Sequence, residues 1–169
     1  MTGSLFPNLA AVVLSNCGRY RYELTRKWNE SLPALTFIML NPSTANATLD
    51  DPTIRRCIGF ARGRGFGGLQ VLNLFAFRAT NPMHMKAAQD PIGPDNDAHI
   101  IAALTVAAAA SSPVIAAWGV HGAYKGREAE VRKLSLERGV HLMCLGSTKG
   151  GHPKHPLYVA AAQEFVCPA

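Results

Sequence analysis

The side chains best equipped for chemistry sit where apolar runs stop. Phe37-Ile38-Met39-Leu40 leads directly into Asn41-Pro42-Ser43-Thr44. Asn41 offers a carbonyl acceptor and an amide donor, so it can orient a water or a ligand, but it is no strong general base. Taken alone, a turn asparagine tied to its own backbone is the better account of it. Asn73, inside Val71-Leu72-Asn73-Leu74-Phe75, must either be satisfied in the core or face a ligand edge. A buried amide can read a nucleobase by donating to one edge atom and accepting from its neighbour. His152 and His155 lie in a loop rich in glycine and proline, where either can donate to a developing anion or simply face solvent. A metal centre would need Cys144 or His141 as further ligands, and His-x-x-His away from a helix is a weak ligand pattern, so neither metal nor cofactor is expected. Among the carboxylates, helix capping explains one in Asp50-Asp51 and one in Asp95-Asn96-Asp97. Asp50 and Asp97 are left for work as a general base or as partners for Arg78 or Arg55.

These residues need elements to hold them. Ala11 to Ser15 and Arg19 to Thr25 flank Asn16-Cys17-Gly18, and the alternation of Tyr20, Tyr22 and Leu24 predicts an antiparallel hairpin at a sheet edge. Leu35 to Leu40 and Leu69 to Phe75 are apolar runs of the kind found in strands covered on both faces. Asp51-Pro52 predicts a helix start, with the helix running to about Gly63. From Arg78 to Pro94 the chain is rich in Pro and Met and is expected to be a long irregular connection. Beyond it the pattern predicts a helix over 98–110 capped by Asp95, a strand over 114–118, and a helix over 127–138 with Val131, Leu134 and Leu136 inward. A strand over 140–145 and a last helix over 156–165 complete the expectation.

Strands alternating with helices imply an α/β fold, a mostly parallel central sheet with helices on both faces, preceded by the hairpin. Ligands in such sheets sit outside the carboxyl ends of the strands. Four loops, carrying Asn41 to Thr44, Asn73 with Phe75 to Arg78, Trp118 to Gly122, and Gly146 to His155, should therefore converge.

The bulk numbers restrict the functions open to this chain. Its 169 residues suit one domain. With 48% hydrophobic and 17% charged residues the composition is globular and not disordered. Lys plus Arg at 17 against Asp plus Glu at 11 gives +6, an excess that favours a polyanion such as nucleic acid, although the basic residues are scattered as Arg55, Arg56, Arg62 and Arg64. The four cysteines lack Cys-x-x-Cys pairing and no leader pattern opens the chain, so a reduced, cytoplasmic protein is expected. The longest apolar run, Ile100 to Ala110, is too short to span a bilayer, and no membrane association is expected.

In order along the chain, NPSTAN, DDPTIRRC, GFGGLQVLNLFAFRATNP, PIGPDND, AWGVHG and TKGGHPKHPLY resemble a bacterial family of uncharacterised proteins. Four of these pieces are also similar, in the same order, to motifs of the uracil-DNA glycosylase superfamily. That resemblance implies a three-layer α/β/α sandwich, a DNA or nucleotide partner, and hydrolysis of an N-glycosidic bond. Leu40-Asn41-Pro42-Ser43 matches the motif that holds the attacking water, in the form where asparagine replaces aspartate. Val71-Leu72-Asn73 matches the strand whose asparagine recognises the base, and Ala117-Trp118-Gly119 matches a strand ending in Trp-Gly. His155-Pro156-Leu157 is similar to the loop whose histidine assists the leaving base and whose leucine wedges the duplex. Three departures accompany these matches. Leu40 stands where the motif has glycine, the Ser-Pro after His155-Pro156 is missing, and the base-stacking aromatic has no motif, with Phe75, Phe77 and Trp118 as candidates. Two further readings are a non-catalytic nucleic-acid module, and a nucleotide or sugar-phosphate enzyme with Ser43, Thr44 and the Gly150-Gly151 amides at the phosphate.

Overall fold

The computed structural model describes residues 9–169; the extreme N-terminus, where the expectation of no leader rests, lies outside them. The hairpin is present as β1 (Leu9–Leu14) and β2 (Arg21–Lys27), antiparallel and at the edge of the sheet. The rest of the sheet is β3 (Ala34–Met39), β4 (Gly68–Asn73), β5 (Val114–Ala116) and β6 (Met143–Cys144). Strand order is β1-β2-β4-β3-β5-β6, with β4, β3, β5 and β6 parallel and β2 antiparallel to β4.

Alternation along β3 explains how its apolar run is buried on both sides. Leu35, Phe37 and Met39 pack with Ile54, Cys57, Phe60 and Ala61 of α1 (Pro52–Gly63). Ile38 and Leu40 join Ile100, Ala103 and Leu104 of α3 (Asn96–Ala109) and Val131 of α4 (Arg127–Glu137). Helix α1 starts as its sequence dictates: Asp51 Oδ1 accepts from the Ile54 amide at 2.9 Å and Pro52 takes the first turn.

Several sequence expectations change. The segment expected to be irregular holds a short helix, α2 (Pro82–Ala87), capped by Asn81, whose Oδ1 accepts from the Met83 amide. Asp95 precedes α3 without making a side-chain cap, and the buried Asn96 anchors that helix start by donating from Nδ2 to the Asn73 and Leu74 carbonyls. On α4 the buried positions are Arg127, Val131 and Ser135, a spacing set by the buried guanidinium; Leu134 is partly buried beside them, but Leu136 is 60% exposed.

The last helix does not form. Only a 3-10 turn, Pro156–Tyr158, appears there. Arg56 donates to the carbonyls of Pro156 and Val159, and Arg64 to that of Gln163. The side chains of α1 thus occupy carbonyls in the segment, while Val166 forms a bridge with Cys144 at the end of β6.

Candidate functional site

A cavity of about 430 Å³ opens at the carboxyl ends of the parallel strands. Three of the expected loops line it, through Asn41 and Ser43 after β3, Trp118 to His121 after β5, and His155 after β6, with Leu157 just beyond; after β4 the lining residues are Ala79 and Thr80, past the expected Asn73 and Phe75 to Arg78. Arg21, from the hairpin, and Asp51, from the cap of α1, complete its polar surface.

Asn41 is held by the loop after β4. Its Nδ2 donates to the Ala79 carbonyl at 2.7 Å and to the Pro42 carbonyl at 3.2 Å, and the Ala79 amide returns a bond to the Pro42 carbonyl. Two acceptors on one side fix which end of the amide is nitrogen. Oδ1 accepts no hydrogen bond among the described residues and keeps its lone pairs for a ligand or a water.

His155 caps the 3-10 turn that follows it. Its Nδ1 accepts from the Leu157 amide at 3.3 Å, so in the neutral ring the proton resides on Nε2. Burial holds the imidazole below its ordinary pKa, with Asp51 pulling weakly the other way. The loop bearing it is clamped by Gly119, whose amide donates to the Pro153 carbonyl and whose φ of 72° with ψ of −168° suits only glycine. His121 is arranged similarly: Lys86 Nζ lies 3.1 Å from Nδ1, and an ammonium can only donate, so the imidazole carries its proton on Nε2. Burial, and then Lys86, lower the His121 pKa.

Arg21 is 3% exposed. Its Nη1 donates to the Ala45 carbonyl at 2.7 Å, its buried Nε has no partner, and it forms no ion pair among the described residues. Burial lowers its pKa to about 10, so it remains a cation at neutral pH. The position of Arg21 follows from a break in strand alternation. In the β1–β2 register Val13 pairs with Glu23 but Leu14 pairs with Arg21, which leaves Tyr22 as an extra residue. Such a bulge re-aims the side chains on one side of it. Arg21 and Arg26 are five residues apart and would face opposite ways on an unbroken strand, yet they donate to the neighbouring carbonyls of Ala45 and Asn46.

The other candidate residues have different surroundings. Asp50 pairs with Arg26 at 2.9 Å and is not part of the cavity lining. Asn73 is 2% exposed, also off the lining, with a buried Nδ2 that lacks a partner. Phe75 lies in the core against Tyr124, Pro42 is buried behind Asn41, and Arg78 reaches from the surface to the Gly18 carbonyl. Trp118 forms part of the wall. Its Nε1 donates to Glu128 at 2.8 Å, and a Cβ on Gly122 would lie 2.1 Å from its ring. Asp97 bonds to Arg127. Leu157, 45% exposed, lies at the cavity with Tyr158, which is 83% exposed. Arg21, Asp51 and His121 are charged or titratable lining residues that sequence patterns did not single out individually for the site, as are the polar Thr53, Thr80 and Tyr158. Gly150-Gly151 and Thr44 do not line it.

No group of three His, Cys, Asp or Glu side chains among the described residues is placed to hold a metal, and no helix among them is long and apolar enough to cross a membrane. The cavity joins hydrogen-bond donors (Arg21, His121, His155) to acceptors (Asn41 Oδ1, Asp51) in a volume typical of small-molecule sites.

A six-stranded, mostly parallel sheet with such a cavity at its carboxyl edge defines an α/β protein with a ligand site in the usual place for that class. The chain belongs to the family described as "Protein of unknown function (DUF1643)", which matches residues 21–157. That span begins at Arg21 and contains every lining residue of the cavity except Tyr158. Neither the curated proteins nor the solved structures contain a match.

Proposed function

We propose that the protein is an α/β/α enzyme of uracil-DNA glycosylase type that binds a nucleobase in this cavity and hydrolyses its N-glycosidic bond, in a nucleotide or in DNA. One observation carries the reading: an oriented amide with a free Oδ1, Asn41, lines the same cavity as an imidazole that presents its proton on Nε2, His155. Asn41 Oδ1 accepts a hydrogen bond from the attacking water. The water oxygen bonds to the anomeric carbon as the bond from that carbon to the base nitrogen breaks, and the electron pair leaves with the base. His155 Nε2–H donates to the departing anion, a stabilisation that grows as charge develops. Asparagine cannot take the proton of the water, and Asp51 supplies the carboxylate that Asn41 lacks. Its Oδ1 is engaged by the Ile54 amide, but its Oδ2 receives only a 3.4 Å contact from the Ala45 amide, leaving lone pairs to accept the proton and a charge to steady the oxocarbenium ion. Asp50, committed to Arg26, has no part in this scheme, and Asn73, off the lining, makes no contact with the base.

The test is base release. Oligonucleotides and free nucleotides carrying uracil, hypoxanthine, and oxidised or hypermodified bases are incubated with the protein, and free base is quantified by chromatography. At least one substrate should be cleaved, with Asn41→Ala and His155→Ala each slowing it by about 100-fold. No release from any of them overturns the reading.

A further inference from the structure

Arg21 is not used by the scheme above, and its environment is costly without a ligand. A guanidinium carries five N–H donors, and that of Arg21 makes one hydrogen bond among the described residues, leaving Nε buried and unpaired there. A buried charge is normally paired, because the penalty for removing it from water is several kcal/mol. Asp51 is the carboxylate that faces it, and the two form no ion pair. The two other buried arginines are satisfied: Arg26 by Asp50 and two carbonyls, Arg127 by Asp97, Glu130 and the Leu74 carbonyl. Arg21 alone of the three faces a cavity.

We propose that Arg21 seats the phosphate of the substrate, and that the substrate is a free nucleoside monophosphate and not a base extruded from a duplex. The nucleoside part of this proposal rests on the glycosidase reading; the oxyanion part stands on Arg21 itself. A guanidinium engages phosphate through two parallel N–H bonds, and the lining of this cavity carries a further N–H donor that the glycosidic step does not use, His121. Burial separates the two sources of phosphate. Duplex backbones are held by exposed cations on a surface, whereas Arg21 is enclosed and suits a terminal phosphate that enters the cavity. The cluster of basic groups on α1 is engaged within the protein. On α1, Arg56 and Arg64 donate to carbonyls of the C-terminal segment, Arg55 donates to the Asp50 carbonyl, and Arg62 lies over the Trp28 ring.

The full-length protein labelled on arginine side chains is titrated with inorganic phosphate, with 2′-deoxynucleoside 5′-monophosphates, with the matching nucleosides, and with a short duplex. The buried Nε–H resonance of Arg21 should shift with phosphate and with a monophosphate, and not with nucleoside or duplex. Calorimetry should show Arg21→Met weakening a monophosphate by about tenfold or more while leaving the nucleoside unchanged. An Nε–H resonance indifferent to phosphate and to every monophosphate overturns the proposal in the wild-type protein itself. Equal affinity for nucleoside and monophosphate also overturns it, as does a response to duplex alone. Phosphate binding at Arg21 without base release from any substrate would refute the glycosidase reading and leave the oxyanion site standing. Base release that ignores Arg21 would do the reverse.

Discussion

Arg21 and Arg127 are both buried arginines, 3% and 1% exposed, but they occupy opposite kinds of site. Arg127 stands at the first turn of α4 with Nη2 on Asp97, Nη1 on Glu130 at 3.1 Å and Nε on the Leu74 carbonyl at 2.9 Å. It joins α4, α3 and the end of β4, and its donors meet protein acceptors on every nitrogen. Arg21 joins β2 to the loop after β3 through one bond and leaves Nε open. A structural arginine brings its counter-charges with it, whereas one that serves a ligand stays underpaired until the ligand arrives. Arg26, on the same strand as Arg21, makes three hydrogen bonds, one of them its ion pair with Asp50, and belongs with Arg127.

The largest effect should come from Arg127→Met. It removes a fork that ties three elements together, and urea unfolding should show a loss of about 3 kcal/mol. The carboxylates left behind, 54% and 58% exposed, can be hydrated, so the loss should fall short of the upper end for a broken buried pair. A loss indistinguishable from zero would mean that the satisfied arginine contributes no more than the unsatisfied one.

What could be read in advance divides along similar lines. The strands β3 and β4 and the start of α1 were legible because each depends on a local signal: a doubly apolar run, or Asp51-Pro52 supplying acceptor and preset φ together. Asn81-Pro82 carries the same signal for α2, hidden by the surrounding Pro and Met residues. The convergence of four loops followed from the parallel order. Arg21 did not, because the bulge at Tyr22 reverses which way it faces, and a single extra residue in a register leaves no mark on composition or period. The last helix failed for a non-local reason as well: arginines one hundred residues earlier in the chain take its carbonyls. Between Asp50 and Asp51, the distinction was made by Arg26, which engages the first and leaves the second on the cavity.

Asp50→Asn tests the intermediate case. The Arg26–Asp50 pair is partly exposed on the carboxylate side, 30%, and nearly buried on the other, 10%. Replacing the carboxylate leaves Arg26 with carbonyl partners only and should cost about 1–2 kcal/mol in urea unfolding. Arg21→Met should cost less than either, within about 1 kcal/mol of zero, since the lost bond to Ala45 is offset by removal of a buried charge. The variant must also lose any stabilisation by added phosphate. An Arg21→Met protein as destabilised as Arg127→Met would place Arg21 with the structural arginines.

The smallest effect concerns the imidazole that shares the cavity with Arg21. Burial acts on both groups in the same direction, against the charged form, but with different results: Arg21 at about 10 keeps its proton at neutral pH, and His155, pushed below 6.5, gives its proton up. The folded pKa of His155 therefore lies below the unfolded one. Above pH 6.5 both states are neutral and the group is without effect; as pH falls, the unfolded chain takes up the proton first and stability is lost until the folded pKa is passed. His155→Asn removes this dependence, so the stability gap between wild type and variant should narrow from pH 8 to pH 5, with burial, and then Lys86, making His121→Asn behave likewise. A gap that widens on acidification would mean that the folded protein prefers His155 charged, and would bring the imidazole into line with the guanidinium as a second cation awaiting the same anion.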